Sequence, residues 1–268
     1  MTRLTADDVG GLIEDLRAFE EGLRSFADFG LRGLALRTAA DPPACVPLHG
    51  TRMAAVPFSS GEGFIPRFSE CVVTILRHLH CDAWVTTQPD IRGLQEAAEM
   101  AAEVVFLADD FRFIALNLRS GRCVDDDPAT ADGYVTALEA AAGGLVGRNV
   151  LLLGLGPVGR AAARRLVSRG ASVAVVEPDA ARLREALDGG LRIRPLSLAE
   201  GLELCDLVFD ATPAPDFIDA GAARHIVAAA VPGLPSAFTA AAREALGPRH
   251  IHEPLAIGVA VMAARALV

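Results

Sequence analysis

Three glycines, Gly154, Gly156 and Gly159, stand between the apolar run Asn149 to Leu153 and the helix-like run Arg160 to Arg169. A strand–turn–helix junction of this kind suits a dinucleotide. The first glycine permits the tight turn, the second lets the backbone approach the pyrophosphate, and the third lets helix and strand pack closely. First-turn N–H groups then face the phosphates. Leu155, Pro157 and Val158 fill the intervening positions and are expected to touch the cofactor with the glycines. A second apolar strand, Ala171 to Val176, ends in Glu177, where an acidic residue accepts both hydroxyls of the adenine ribose. No arginine directly follows Glu177 to receive a 2′-phosphate, so NAD is expected rather than NADP. The alternative, a nucleotide-free α/β domain with a glycine turn, is weakened by the completeness of the series.

Carboxylates and hydroxyls supply the other candidate chemistry. Val104 to Ala108 reads as a buried strand closing on Asp109 and Asp110, whose side chains alternation sends to opposite sides. A short strand beginning at Arg52 leads into Ser59-Ser60-Gly61-Glu62-Gly63, either a ligand-contacting turn or an ordinary one. The chain has no lysine, which excludes a Schiff-base lysine, a P-loop lysine and a lysine general base. The single tyrosine, Tyr134, therefore cannot belong to a Tyr-x-x-x-Lys dyad. No metal site is expected: His78-x-His80-Cys81 has a metal-like composition, but alternate positions on a helix diverge and no carboxylate set accompanies them. His250 and His252 read as core or edge histidines or, alternatively, as flanking the cofactor. The triplet Asp125-Asp126-Asp127 reads as a helix cap and solvated turn.

A net charge of −9 argues against nucleic acid or an anionic membrane as a partner and suits a cationic small molecule, although a solvated acidic surface gives the same count. No apolar run reaches the length of a membrane span, and Met1 to Gly10 has no signal-peptide pattern, so a soluble cytoplasmic protein is expected. The five cysteines are odd in number and scattered, as core thiols are. The sequence leaves the oligomeric state open, a homodimer being allowed.

These groups need strands that end at a common edge. Thr5 begins a helix whose apolar stripe includes Leu4, Leu12, Leu16, Phe19 and Leu23. Helices are expected over Phe64 to His80 and Ile91 to Ala102, with a strand at Ala83 to Thr86 between them. A helix over Pro128 to Ala142 leads into the glycine motif. Beyond it, strands over Asp206 to Asp210 and His225 to Ala230 are followed by loops bearing Thr212-Pro213 and Pro232-Gly233, His250 to Glu253 is the last strand, and Gly258 to Val268 closes the chain as a helix. The fold class expected is α/β: a small N-terminal α/β domain over residues 1–140, carrying the substrate and catalytic groups beneath a lid helix, followed by a Rossmann doubly wound parallel-sheet domain over residues 141–268.

Several stretches carry a resemblance beyond the glycine motif. They are Val56-Pro-Phe-Ser-Ser-Gly-Glu-Gly-Phe-Ile with Phe68-Ser69, Val85 to Asp90 with Gly93, Phe106-Leu-Ala-Asp-Asp, Phe113-Ile-Ala-Leu-Asn-Leu with Gly121, Ala211-Thr-Pro, Pro232-Gly-Leu-Pro and Glu253-Pro-Leu-Ala-Ile-Gly. With them the chain resembles the pyrrolysine synthase family over nearly its whole length after about residue 50. The resemblance implies an NAD-dependent dehydrogenase that oxidises the terminal amine of L-lysine-Nε-3-methyl-D-ornithine, after which the product closes to the pyrroline ring with loss of water. It implies Ser60 and Asp109 as the family's substrate-site serine and aspartate, and Leu4 in a first helix that seals the site. Ser59, Phe68, Asn117 and Glu253 are expected beside them, with Glu253 and the aspartates holding a polycationic dipeptide. Two positions depart: Leu116-Asn117 stands where the family has His-Asn, and Leu-Ala-Ile-Gly where it has Leu-Gly-Ile-Gly. The competing functions are a dehydrogenase of a related small amine or amino acid, and a catalytically silent NAD-binding sensor.

Overall fold

The computed structural model describes residues 12–40, 46–60 and 67–268, with side chains from Leu16 onward. Leu4, Cys45 and Gly61 to Pro66 lie outside them. Five strands form the first sheet in the order β2-β1-β3-β4-β5: β1 (Arg52–Val56), β2 (Asp82–Val85), β3 (Val104–Ala108), β4 (Phe113–Asn117) and β5 (Cys123–Asp125). β1 lies parallel to β2 and β3, so the segments after all three leave from one edge; β4 and β5 return antiparallel. Among the described residues this half has the helices α1 (Leu12–Phe26), α2 (Leu31–Ala39), α3 (Phe68–His78) and α4 (Asp90–Glu99). The short α2 was not foreseen, although its buried Leu31, Leu34, Ala35 and Thr38 follow the helical stripe. Nor was the β4–β5 hairpin. It turns at Gly121, in the left-handed region at φ 73°, and buries Phe113, Ala115 and Asn117 in alternation.

After α5 (Asp126–Ala142) come β6 (Asn149–Leu153), α6 (Pro157–Ser168), β7 (Ser172–Val176), α7 (Ala180–Asp188), β8 (Ile193–Pro195), α8 (Leu198–Leu204), β9 (Leu207–Asp210), β10 (Ala228–Ala230), α9 (Ala240–Leu246), β11 (His250–Ile251) and α10 (Ala256–Ala266). The six strands are all parallel, in the order β11-β10-β9-β6-β7-β8, as a doubly wound fold requires. β6 is apolar without alternation because sheet neighbours flank it and both faces are covered. The chain reverses direction of winding between β6 and β9, which opens a crevice at their carboxyl ends.

The halves share one core. Leu31, Met53, Phe106 and Leu138 belong to the same buried cluster as Val150, Leu152 and Ala163. α10 does not stay with the second sheet; it packs against α2, α5, α3 and β4. Small residues allow this: a Cβ on Gly133 of α5 would lie 2.4 Å from Ile257 Cγ2 of α10. The link before α10 is fixed by Tyr134, whose buried hydroxyl donates to the Glu253 carbonyl (2.5 Å) and accepts from the Glu253 N–H (2.9 Å). The first helix is anchored as well, since Leu16 and Leu23 are buried.

Candidate active site

β6 ends at Gly154, whose φ of 86° lies in the left-handed region and whose Cβ would meet the Ala211 carbonyl at 2.9 Å. A side chain is thus excluded both by conformation and by the neighbouring loop. Gly159 is closed in the same way, its Cβ falling 2.2 Å from the Gly154 carbonyl oxygen. Gly156 instead faces open space, with nothing within 4 Å of its Cβ position. It starts α6 without a side-chain cap and is followed by Pro157. An open approach to uncapped helical N–H groups is what a pyrophosphate needs, so this turn fits the dinucleotide. Glu177 leaves β7 on the same edge and caps the turn: its Oε2 accepts from Leu155 N–H (2.6 Å) and its Oε1 from Asp179 N–H (2.8 Å). The carboxylate expected at the ribose is therefore held against the glycine loop itself.

The loops after β9 and β10 are fixed by Asp210. Fully buried, it accepts from Thr212 N–H and Oγ at 3.0 and 2.7 Å, and from Ala237 N–H at 2.8 Å. Its backbone carbonyl takes the Gly233 N–H at 2.9 Å. A Cβ on Gly233 would lie 2.3 Å from the Thr212 carbonyl, so only glycine brings these loops so close. Thr212, Pro213, Pro232 and Gly233 then line a cleft together with Val158 of α6.

The opposite wall of that cleft, whose volume is about 140 Å³, comes from the first half. Phe68 and Asp109 line it, and so does Asp110, which was expected to anchor the loop instead. Asp109 is exposed, and its Oδ1 accepts from Phe111 N–H (2.8 Å) and Arg112 N–H (2.7 Å), closing the turn between β3 and β4. Both aspartates reach the cleft, where strand alternation had placed only one, because they lie past the end of β3 in this turn.

Other expected groups are elsewhere. Asn117 lies at the far end of β4, paired with Val104 at the amino end of β3; its amide donates to the Ala266 carbonyl and its oxygen accepts from Arg119 and Ser120. Glu253 is buried and caps α10, accepting from Leu255 N–H at 2.9 Å and from Ala256 N–H, so the structure uses it to start a helix rather than to face the cleft. Ser59 is tied to Asp90, whose two oxygens accept from its N–H (2.8 Å) and hydroxyl (2.7 Å) and hold the Asp90 carboxyl below its usual range. Ser60 follows it, exposed, on the edge where β1 and β3 end, and is not among the described cleft-lining residues. Leu4 is outside the described residues. His250 meets Ser236 Oγ at 3.2 Å and His252 meets the Val231 carbonyl at 2.7 Å, the core setting expected of them.

The groups missed were Asp126, Asp127 and Thr130. Asp125 is indeed the cap of α5, its side chain accepting from Asp127 N–H. The next two aspartates are not a solvated turn: they face the cleft beside Thr130, whose hydroxyl donates to Asp126 Oδ1 at 2.9 Å. Burial drives the Asp126 carboxyl up to about 7, and that of Asp127 also upward, with Asp125 adding repulsion to both and Asp127 to Asp126. Pro254 and Leu255, carried to the crevice by β11, close the floor. The first turn of α5 carries the usual acidic preference of helix starts, so the sequence alone could not separate cap from cleft.

Comparison with known proteins agrees with this arrangement. A family model described as the N-terminal domain of pyrrolysine biosynthesis protein PylD matches residues 8–124, and an NAD(P)-binding model matches residues 144–244. The pyrrolysine synthase of Methanosarcina acetivorans is 30% identical over 98% of both chains, and that of Methanosarcina barkeri 30% identical over 98% of this chain and 97% of its own. Shikimate 5-dehydrogenase from Thermus thermophilus, in complex with NADP(H) and shikimate, aligns with a TM-score of 0.46 at 18% identity over 81% of this chain and all of its own, a likeness too loose to bear on function. The sequence similarity extends through both walls of the cleft, and the chain belongs to the pyrrolysine synthase family, as an NAD-dependent dehydrogenase.

Proposed function

We propose that this chain oxidises the terminal amine of the 3-methylornithine part of L-lysine-Nε-3-methyl-D-ornithine to an imine, that water hydrolyses the imine to the aldehyde with release of ammonia, and that the aldehyde closes on the neighbouring amine with loss of that water to give the pyrroline ring. One observation carries the proposal: four carboxylates, Asp109, Asp110, Asp126 and Asp127, face the glycine-loop crevice, and no cationic side chain is among the described residues lining it. An amine-rich substrate is attracted there, while an anionic one, such as a hydroxy acid, is repelled. NAD, when bound, supplies the two-electron oxidant. Phe68, Phe113 and Leu255 present apolar surface around the reacting carbon and limit water.

Within this proposal Asp109 holds an ammonium group with its free oxygen while the other keeps the β3–β4 turn. Ser60 and Leu4 close the substrate side from the β1 edge and the chain start, and residues 1–140 form the substrate half. The departures from the family pattern leave this site intact: Leu116 is not among its described lining residues, and Ala256 sits in the first turn of α10. The setting proposed is cytoplasmic. The test is NADH formation from the dipeptide, with mass spectrometry of the product; an unchanged dipeptide would overturn it.

A further inference from the structure

Amine oxidation needs a proton acceptor. The substrate nitrogen arrives as an ammonium with a pKa near 10, and has no lone pair with which to form a C=N bond until one N–H is broken. The chain has no lysine. Tyr134 is locked to the Glu253 backbone and raised well above its usual pKa by burial, and Glu253, whose Oε2 caps α10, is not among the described residues lining the cleft. Asp210 has both oxygens taken by Thr212 and Ala237, and neither His250 nor His252 is a lining residue of the cleft. The described cleft carboxylates are therefore the candidates, and they are unequal. Asp109 is exposed and hydrogen-bonded in its turn. Asp126 is half-buried on the first turn of α5, with Thr130 fixing one oxygen. Opposite it α10 supplies Gly258, where a Cβ would fall 2.6 Å from Asp126 Oδ1 and 2.4 Å from Thr130 Oγ1, so the glycine keeps room for this carboxylate.

We propose that Asp126 is the proton acceptor of the reaction, taking a proton from the substrate ammonium at its cleft-facing carboxylate. The proposal rests on the amine oxidation above. In the step, the ammonium N–H breaks and a carboxyl O–H forms on Asp126. The electron pair left on nitrogen becomes the second bond of C=N as carbon gives up its hydrogen with two electrons to NAD, the oxidant. The proton then leaves Asp126 for water. Asp127 is placed to steady the cation beside it, since its Oδ1 is buried and has no hydrogen-bond partner among the described residues. Asp125 and Asp127 on its own segment repel the Asp126 charge, Asp109 and Asp110 of the β3–β4 turn line the same cleft, and Glu253 stands ahead of α10. Of the nearby arginines, Arg112 is engaged with Asp125 at 2.6 Å and Arg67 precedes Phe68 in α3. With burial holding its carboxyl at about 7, Asp126 is a stronger base than an ordinary aspartate.

The test compares the parent with Asp126→Asn and Thr130→Val. Asp126→Asn is expected to lower kcat by roughly 100- to 10,000-fold with KM changed by less than about threefold, and to abolish the rise of rate through pH 7. Thr130→Val removes a hydrogen bond that favours the ionised form, so that rise should move upward by about half to one pH unit. Two readouts are independent of turnover. Calorimetry with the dipeptide alone at pH 6, in buffers of different ionisation heat, should find proton release on binding to the parent and none with Asp126→Asn. The folded parent also retains a proton that the unfolded chain loses near pH 4, so its stability falls as the pH rises from about 4 to about 7; Asp126→Asn should melt higher than the parent above pH 7 and equally near pH 4. Parental kcat and pH profile in Asp126→Asn, or the same proton release in both proteins, would overturn the assignment of Asp126 while leaving amine oxidation in place. Absence of NADH from the parent enzyme would overturn the oxidation, and this inference with it.

Discussion

Asp109→Asn separates charge from folding at a cleft residue whose two oxygens have different duties. Oδ1 accepts two N–H groups of the β3–β4 turn, at 2.8 and 2.7 Å, and asparagine retains an oxygen there, so the turn should persist. What disappears is the charge facing the cleft. A fully exposed ion pair contributes about 0.2–1 kcal/mol, whereas truncating one partner of a desolvated pair costs about 2–5 kcal/mol. Asp109 is exposed to water on one side and borders the apolar wall of Phe68 and Phe113 on the other, which places the expected loss between these limits, at about 1–2 kcal/mol. That corresponds to a fall of roughly 5- to 30-fold in kcat/KM. Steady-state kinetics with the dipeptide, melting temperature and NAD titration together form the assay, and the last two should scarcely move. Parental kcat/KM in Asp109→Asn with a loss in Asp110→Asn would show that the neighbouring carboxylate binds the substrate. Parental values in both would show that this turn only joins two strands.

Glu177→Ala should weaken NAD by about 1–3 kcal/mol, because it removes both the ribose acceptor and the 2.6 Å contact that steadies Leu155 N–H; fluorescence titration with NAD and NADP checks this, and unchanged NAD affinity would remove Glu177 from the site. Tyr134→Phe should destabilise the protein by about 2–4 kcal/mol, since it strands a buried N–H and a buried carbonyl of Glu253, and thermal denaturation should show a clearly lower Tm. Deleting residues 1–11, which carry Leu4, should leave NAD affinity intact and reduce turnover sharply; removing α1 as well should unfold the first half, because Leu16 and Leu23 are buried in the shared core. Turnover at the parental rate after deletion of residues 1–11 would exclude Leu4 from the substrate site.

The second half was the more legible in the sequence. Its strands are continuous apolar runs, its turns carry glycines that no other residue can replace, and an acid follows at the proper interval, so local chemistry and global topology say the same thing. The first half hid more. The β4–β5 hairpin has a mixed pattern, and α2 is only nine residues long, too short for periodicity to announce it. Polar residues misled in both directions. Asn117 and Glu253 look like site groups by type, yet one holds a buried hairpin turn and the other starts a helix, and neither is among the described residues lining the cleft. Asp126 looks like an ordinary helix-start acid, and the return of α10 across α5 makes it a half-buried cleft carboxylate. That contact joins residues more than a hundred positions apart, which no local pattern encodes.

Incubation of the purified protein with NAD and L-lysine-Nε-3-methyl-D-ornithine, followed by absorbance of NADH and mass spectrometry, tests the dehydrogenase most directly. Stoichiometric NADH and a product lighter by two hydrogens and one ammonia, whether the elements of ammonia leave directly or as ammonia from an imine followed by water on ring closure, are expected if the terminal amine is oxidised and the ring closes. NAD binding without NADH would point to a sensor. NADH from simpler amines but not from this dipeptide would keep the dehydrogenase and discard the substrate.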